Sequence, residues 1–194
     1  MPSPIRIQRD RSTIVYISYD ENLQKILGRK NESFALLDGS KSEDFLINFF
    51  EIYPHVFEKA IPGTLQYLIN GAPSLPYQLL QTGDSISMTL ISMRELIKTL
   101  KEDIDAMSQK LSLSFGSEEV CEFVRYKDPK EPQDLFTEFK LDKEEDSDEI
   151  FIMEDLLFKA WSSFPRESLG GKSQIQVMHQ DILEEFRKTK SKEK

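Results

Sequence analysis

Residues 64–90 read TLQYLINGAPSLPYQLLQTGDSISMTL, and this stretch decides the fold of the N-terminal half. Thr64–Ile69 contains β-branched and aromatic residues, which is typical of a strand. Asn70-Gly71 follows, and both residues tolerate the positive φ angles of a tight hairpin turn. Ser85–Leu90 alternates polar and apolar side chains, so one face of this strand is predicted to be buried. The stretch therefore predicts two strands linked through a hairpin turn and a loop.

The residues before this stretch predict two more strands and the main helix. Thr13–Tyr19 and Ser33–Leu37 are predicted strands, joined by a short helix that ends at Gly28. Ser42 precedes two acidic residues and is predicted to cap a longer helix, which Pro54 limits. The apolar side chains on one face of this helix are Phe45, Leu46, Phe49, Phe50 and Tyr53. The order strand, strand, helix, strand, strand predicts an α+β domain with one helix on a mixed sheet.

Three segments together resemble a known family. Ile14–Phe34 is a strand followed by a polar stretch with Leu27-Gly28, and Phe45–Pro54 reads FLINFFEIYP. Leu65–Met88 contains INGAP and then LLQTGDSISM. In this order and spacing they resemble the MoaD/ThiS sulfur carriers, the bacterial relatives of ubiquitin. The resemblance covers about half of the chain and implies a ubiquitin-like β-grasp domain over residues 1–92.

The end of the last predicted strand departs from this family. Sulfur carriers finish with a short tail ending in Gly-Gly, whose terminal carboxylate is adenylated and then thiocarboxylated. Here the strand continues through Ile91-Ser92-Met93-Arg94-Glu95 into a predicted helix, without a glycine. The corresponding carbonyl is an internal peptide bond, so carrier chemistry is excluded at this position.

Residues 93–194 are predicted to form a mainly helical, acidic extension. Apolar residues in its first helix are spaced 4, 3, 4, 3 and 4 apart, the a/d pattern of about two and a half heptads. They are Met93, Ile97, Leu100, Ile104, Met107 and Leu111. We expect this helix to pack on the β-grasp domain, and dimerisation through it is the alternative.

The remainder of the extension is predicted as one strand, one flexible loop and two helices. Val120–Tyr126 is rich in β-branched and aromatic residues and predicts a strand. Two prolines and a dense acidic run predict a flexible loop over 127–149, with a contact surface for a basic partner as the alternative. Apolar spacing returns in Ile150–Trp161 and again after Ser173, which indicates two amphipathic helices.

The stretch Trp161–Ser173 reads WSSFPRESLGGKS and has three interpretations. A phosphate-binding loop of the form GxxxxGK[ST] fails because Arg166 stands where its first glycine is needed. Cleavage after Gly171 would expose a diglycine tail like that of a carrier, so Gly170 and Gly171 are a candidate processing site. The third interpretation is a turn between two helices. It is similar to a short connector in the C-terminal segments of Xre/MbcA-type antitoxins, a likeness that implies no activity.

The net charge and the residue composition exclude several classes of ligand and site. The net charge is -9, which argues against nucleic acid as the main ligand. One cysteine permits no intramolecular disulfide, and two histidines with one cysteine cannot build a metal site alone. No signal peptide and no membrane-length apolar run are present, so a cytoplasmic location is expected. No cofactor is predicted.

These observations leave three functional hypotheses. The first is a non-catalytic protein-interaction module that uses the face or edge of a ubiquitin-like sheet. The second is a sulfur-carrier or modifier precursor that is activated after cleavage at Gly171. The third is an enzyme with Cys121 as nucleophile, although a buried cysteine is usually an inert small hydrophobe. We favour the first, because no catalytic group of residues emerges from the sequence.

Overall fold

The structure, a computed structural model, describes residues 12–75, 77–141 and 148–192. The chain folds into two compact units, Met1–Ile91 and Ser92–Lys194. Each unit has a buried apolar core of its own. A separate core in each unit is the hallmark of a structural domain.

The N-terminal unit is a five-stranded mixed sheet with helices on one face. Its elements are β1 (Ser12–Tyr19), α1 (Glu21–Leu27), β2 (Asn31–Leu37), α2 (Ser42–Ile52), α3 (Pro54–Phe57), β3 (Leu65–Ile69), β4 (Ala72–Pro73) and β5 (Ser85–Leu90). The strand order is β2-β1-β5-β3-β4. The first and last strands are parallel neighbours in the centre, and the other pairs are antiparallel. This topology, with α2 after the first hairpin, confirms the predicted ubiquitin-like β-grasp.

The core of this unit lies between α2 and the inward face of the sheet. Phe45 and Phe49 are four residues apart on α2, share one face and have no exposed area. The ring of Phe45 meets Phe34 of β2 edge-on, with centroids 5.6 Å apart. Burial of each phenyl group contributes up to about 3 kcal/mol, so α2 anchors the sheet through its aromatic stripe.

The start of α2 differs from the prediction by one residue. Lys41 is the N-cap, and its backbone N–H donates to the carboxylate of Asp44 at 2.8 Å. Ser42 is the first helical residue, and its hydroxyl donates to the carbonyl of Leu75 at 3.2 Å. The serine therefore fastens the loop before β5 to the helix, a long-range contact that local sequence cannot indicate.

Asn70 and Gly71 form the predicted turn between β3 and β4. Their φ angles are 53° and 80°, the positive values that a type I′ hairpin requires. The side chain of Asn70 also donates to Asp84 at 2.8 Å and accepts from the backbone N–H of Ser85 at 2.9 Å. The turn residue thus holds the start of β5 in register.

All regular elements among the described residues of the C-terminal unit are helical. Its elements are α4 (Met93–Lys110), α5 (Ser117–Glu122), a π-helical turn (Phe123–Lys127), α6 (Pro132–Glu138), α7 (Asp148–Ser163), a 3-10 turn (Glu167–Leu169) and α8 (Gln174–Lys192). α7 packs against α4, α6 and α8. The side chains of Met153, Leu157 and Ala160 on α7 have no exposed area, so α7 is the centre of this unit.

The prediction of a strand at Val120–Tyr126 is wrong, because these residues belong to α5 and the π-helical turn. Val120 and Val124 are four residues apart, and both are fully buried. A short apolar run is compatible with a strand or with one face of a helix. The tertiary environment selects the helix, since the spacing of four places both valines in the core.

Part of segment 127–149, predicted as a flexible loop, is also helical. Pro132–Glu138 forms α6, with the proline in the first turn, where a missing backbone N–H is harmless. Leu135 of α6 is fully buried. Residues 142–147, which carry the centre of the acidic run, lie outside the described residues.

Candidate interaction face

The outward face of the β-grasp sheet is an exposed, regular surface of the N-terminal unit. Strict alternation in β1 places Thr13, Val15 and Ile17 inward and their neighbours outward. The outward residues of the sheet are Ser12, Ile14, Tyr16, Ser18, Asn31, Ser33, Ala35, Leu37, Gln66, Leu68, Ser85, Ser87 and Thr89. None of them carries a charge, although 30% of the whole chain is charged.

Large apolar side chains project from this face among small ones. Tyr16 is 57% exposed and lies between Ser33 and Ser85 in the strand register. Ile14, which is 38% exposed, lies opposite Ala35. Because the neighbouring side chains are short, the ring of Tyr16 stands free above the sheet. Tyrosine is one of the residues that contribute most to the binding energy of protein interfaces.

A cluster of titratable side chains, which sequence analysis missed, lies at the end of β1. Glu32 accepts hydrogen bonds from the hydroxyl of Tyr19, from the hydroxyl of Tyr53 at 2.8 Å and from Arg29 at 2.9 Å. Burial and the hydrogen bond to Glu32 raise the pKa of Tyr19 and of Tyr53. Both phenols therefore stay protonated at neutral pH and serve as donors.

This Glu32 cluster is suited to holding the fold rather than to chemistry. Its carboxylate oxygens are occupied by three donors, so they offer no free base for proton abstraction. The donors come from β1, from the turn before β2 and from the end of α2. The cluster therefore joins three elements at one corner of the sheet.

The predicted interaction helix α4 lies in the core of the C-terminal unit. Leu100 and Ile104 are 5% and 0% exposed. Ile97 and Met107 pack against the same core, and Met93 is half-buried. The stripe packs on α7 within the same unit. Packing on the β-grasp domain and dimerisation through this helix both stay predictions.

The candidate processing site, Gly170-Gly171, lies in a closed turn between α7 and α8. Both glycines have positive φ angles, 64° and 81°. The backbone N–H of Gly171 donates to the carbonyl of Arg166 at 2.9 Å, and the N–H of Arg166 donates to the carbonyl of Lys172 at 3.0 Å. An extended substrate conformation would require these bonds to open.

Arg166 anchors that turn, a role that the sequence did not reveal. Its side chain is 4% exposed and pairs with the carboxylate of Asp128 at 3.1 Å. It also donates to the carbonyls of Pro129 at 2.8 Å and Trp161 at 2.9 Å. The guanidinium lies 5.1 Å from the centre of the Trp161 ring. Hydrogen bonds from Lys130, Ser168 and Arg166 lower the pKa of Asp128 to about 2.

Cys121 has the environment of a structural thiol. It is half-buried on α5, and burial raises its pKa. A raised pKa reduces the thiolate fraction, which is the nucleophilic form.

Within residues 12–75, 77–141 and 148–192, no group of histidine, cysteine and carboxylate side chains is arranged to bind a metal ion. No helix in the same ranges is long and apolar enough to cross a membrane.

Solved structures with a similar fold cover the N-terminal part of the chain. A Pyrococcus furiosus protein described as molybdopterin converting factor, subunit 1, is 16% identical over 42% of this chain and 100% of its own, with a TM-score of 0.39. Small archaeal modifier protein 1 of Haloferax volcanii is 12% identical over 41% of this chain and 96% of its own, with a TM-score of 0.38. Both likenesses concern the fold of the N-terminal unit.

A third solved structure is small archaeal modifier protein 1 of Methanosarcina acetivorans. It is 21% identical over 41% of this chain and 94% of its own, with a TM-score of 0.35. No protein-family model and no curated protein matches the sequence.

Proposed function

We propose that this chain is a non-catalytic protein-interaction module that binds a protein partner through the outward face of its β-grasp sheet. One observation carries the proposal: the face presents exposed Tyr16, Ile14 and Leu68 among small neutral side chains and contains no charge. A partner that covers it desolvates no ion.

The absence of charge matters because burial of an unpaired ion in an interface is strongly unfavourable. The cores of protein interfaces are accordingly depleted of charged residues and enriched in aromatic ones. Tyr16 combines a large apolar ring with a hydroxyl group that can still hydrogen-bond. Such a side chain contributes contact area with little loss of conformational freedom. We expect Tyr16 to contribute most of the binding energy of this face.

The size of the face suits a moderate interface. Four strands at about 4.8 Å spacing and about 20 Å length give a footprint on the order of 400 Å². A standard interface removes about 800 Å² of accessible surface from each partner. The sheet face can therefore supply the centre of an interface, with surrounding loops as its rim.

The alternative, a carrier precursor processed after Gly171, has no structural observation in its favour. β5 ends at Leu90 and α4 begins at Met93, so the end of the sheet leads into a second unit. The diglycine lies in that second unit, inside a hydrogen-bonded turn. Processing remains a prediction, and the intact mass of the protein from its own cells tests it.

A charge placed on the face tests the proposed function. We expect Tyr16→Arg to lower recovery of a crosslinked, co-purified partner at least about tenfold, because an arginine would have to be desolvated in the complex. The measurement is quantitative mass spectrometry of proteins crosslinked to the full chain in the cells that produce it.

Tyr126→Arg is the matched control, because Tyr126 is also 57% exposed but lies in the C-terminal unit. The partner should be retained by this control variant. Equal recovery by both variants, or equal loss from both, would contradict binding through the sheet face. Circular dichroism of both variants establishes that each remains folded.

A further inference from the structure

The edge of the sheet formed by β2 carries unused backbone hydrogen-bonding groups. Among the described residues, the sheet order leaves β2 with β1 as its single neighbour. The strand Asn31–Leu37 contains no proline, and its single charge, Glu32, is bound within the Glu32 cluster. Proline and free charges are the usual protection of an edge strand against pairing with another chain. The strand itself has neither between its flanking residues Lys30 and Asp38.

The register identifies which backbone groups face outward from this edge. Ile14 and Tyr16 direct their backbone N–H groups away from β2, toward Thr82 and Asp84. Their antiparallel partners are Ala35 and Ser33. In an antiparallel ladder, a pair that is not bonded to each other directs its N–H and C=O groups outward. Ser33 and Ala35 therefore present both groups at the open edge, as does Asn31, while Leu37 presents its N–H.

The side chains at the two ends of β2 are oppositely charged. Lys30 precedes the strand and Asp38 follows it, and both are exposed. Neither has an ion-pair partner among the described residues. A second β2 running antiparallel, with Phe34 at the twofold axis, would place Lys30 opposite Asp38 of the second copy. The same register places Ser33 opposite Ala35, and both of these residues have outward backbone groups.

We propose that the chain forms a symmetric dimer through antiparallel pairing of its two β2 edges, which joins two five-stranded sheets into one. The twofold symmetry makes each backbone bond and each Lys30–Asp38 pair occur twice. An open groove of about 510 Å³, lined by residues of β2 and α2 that include Ala35 and Asn48, lies beside the edge. The dimer extends the proposed function. The outward face of each chain remains open, and the dimer presents two such faces side by side.

A charge-swap experiment tests both the partner and the register. Asp38→Lys and Lys30→Asp each place like charges opposite one another in the dimer, twice by symmetry. We expect each variant alone to raise the dimer Kd at least about tenfold. An equimolar mixture of the two variants restores opposite charges at both ends, so it should dimerise like the unmodified chain. Sedimentation velocity over a wide concentration range measures these constants.

Ala35→Pro tests the backbone pairing independently. Proline removes an N–H that points to the open edge, so the ladder with β1 remains intact and dimerisation should be lost. A chain that is monomeric at every concentration would overturn the proposal. So would a dimer that tolerates Ala35→Pro, or one in which mixing the charge variants fails to restore association. None of these results affects the sheet-face proposal, which Tyr16→Arg tests.

Discussion

Glu32 shows how a single residue can organise one corner of the sheet. It stands at the start of β2 and accepts hydrogen bonds from Tyr19, Tyr53 and Arg29. The Tyr19 side chain is almost fully buried, with 5% of its residue surface exposed. A phenol buried to this extent needs an acceptor, because no water is available to replace it. Glu32 supplies that acceptor, a role that local sequence does not signal.

Glu32→Gln tests whether this side chain stabilises the fold. The amide has one acceptor oxygen in place of two and carries no charge, so the hydrogen bonds from Tyr19, Tyr53 and Arg29 cannot all be kept. We expect the free energy of unfolding to fall by about 1–3 kcal/mol, the usual penalty for a buried unsatisfied polar group. Urea denaturation of the full chain measures this loss.

Glu51→Gln is the matched control, since Glu51 is exposed on α2. Exposed substitutions of this kind change stability by about 0.5 kcal/mol or less. Equal stability of the two variants would show that the Glu32 cluster does not support the fold.

The turn between the helices α7 and α8 depends on one buried cation, Arg166. Arg166 uses its flat guanidinium to bind Asp128 and two backbone carbonyls while it stacks on Trp161. Lysine offers a point charge and cannot reproduce this planar fork. The turn and the π-helical segment that leads to Asp128 are therefore held together by the geometry of the side chain as well as by its charge.

Arg166→Lys tests this view of the turn. Since the charge is kept but the fork is lost, we expect the C-terminal unit to lose roughly 2–4 kcal/mol of stability. Hydrogen exchange measures the effect locally, and the backbone amides of Gly171 and residue 166 should exchange faster in the variant. Unchanged exchange at these two amides would contradict the anchoring role.

Elements also determine which surfaces remain free. The apolar stripe of α4 has the spacing of an interaction helix, yet α7 covers it within the same unit. The outward sheet face has no comparable apolar stripe in sequence, because its members alternate with core residues on four strands. Surface availability is thus a property of packing, and the a/d pattern alone does not distinguish an internal contact from an external one.

The whole molecule consists of two units with separate cores. We therefore propose that the units unfold as separate transitions. Phe45→Ala should lower the midpoint of one calorimetric transition, and Leu157→Ala should lower that of the other, because each residue is fully buried in a different core. Each substitution is expected to cost roughly 3–5 kcal/mol.

The assignment of each transition comes from comparison of the two variants with the unmodified chain. Independent units shift one transition and leave the other in place. A single transition that moves equally in both variants would show that the chain unfolds as one cooperative unit.

Local patterns determined most of the N-terminal unit. Alternation in Thr13–Tyr19 and Ser85–Leu90 specified which faces are buried, and Asn70-Gly71 specified the turn. The aromatic spacing of Phe45 and Phe49 specified the helix that covers the sheet. These features are readable because they act between near neighbours and repeat with the period of a strand or a helix. The sequence also determined that the carbonyl after β5 belongs to an internal peptide bond, which excludes carrier chemistry at that position.

Tertiary structure alone decided the remainder. Val120–Tyr126 became helical because the helical spacing buries Val120 and Val124 together, a preference that appears once a core exists. Arg166 and Glu32 acquired their roles from partners that are distant in sequence. The uncharged face and the open β2 edge arise only when β1, β2, β3 and β5 lie side by side. Pairing between remote strands is a property of the assembled sheet, so no local pattern records it.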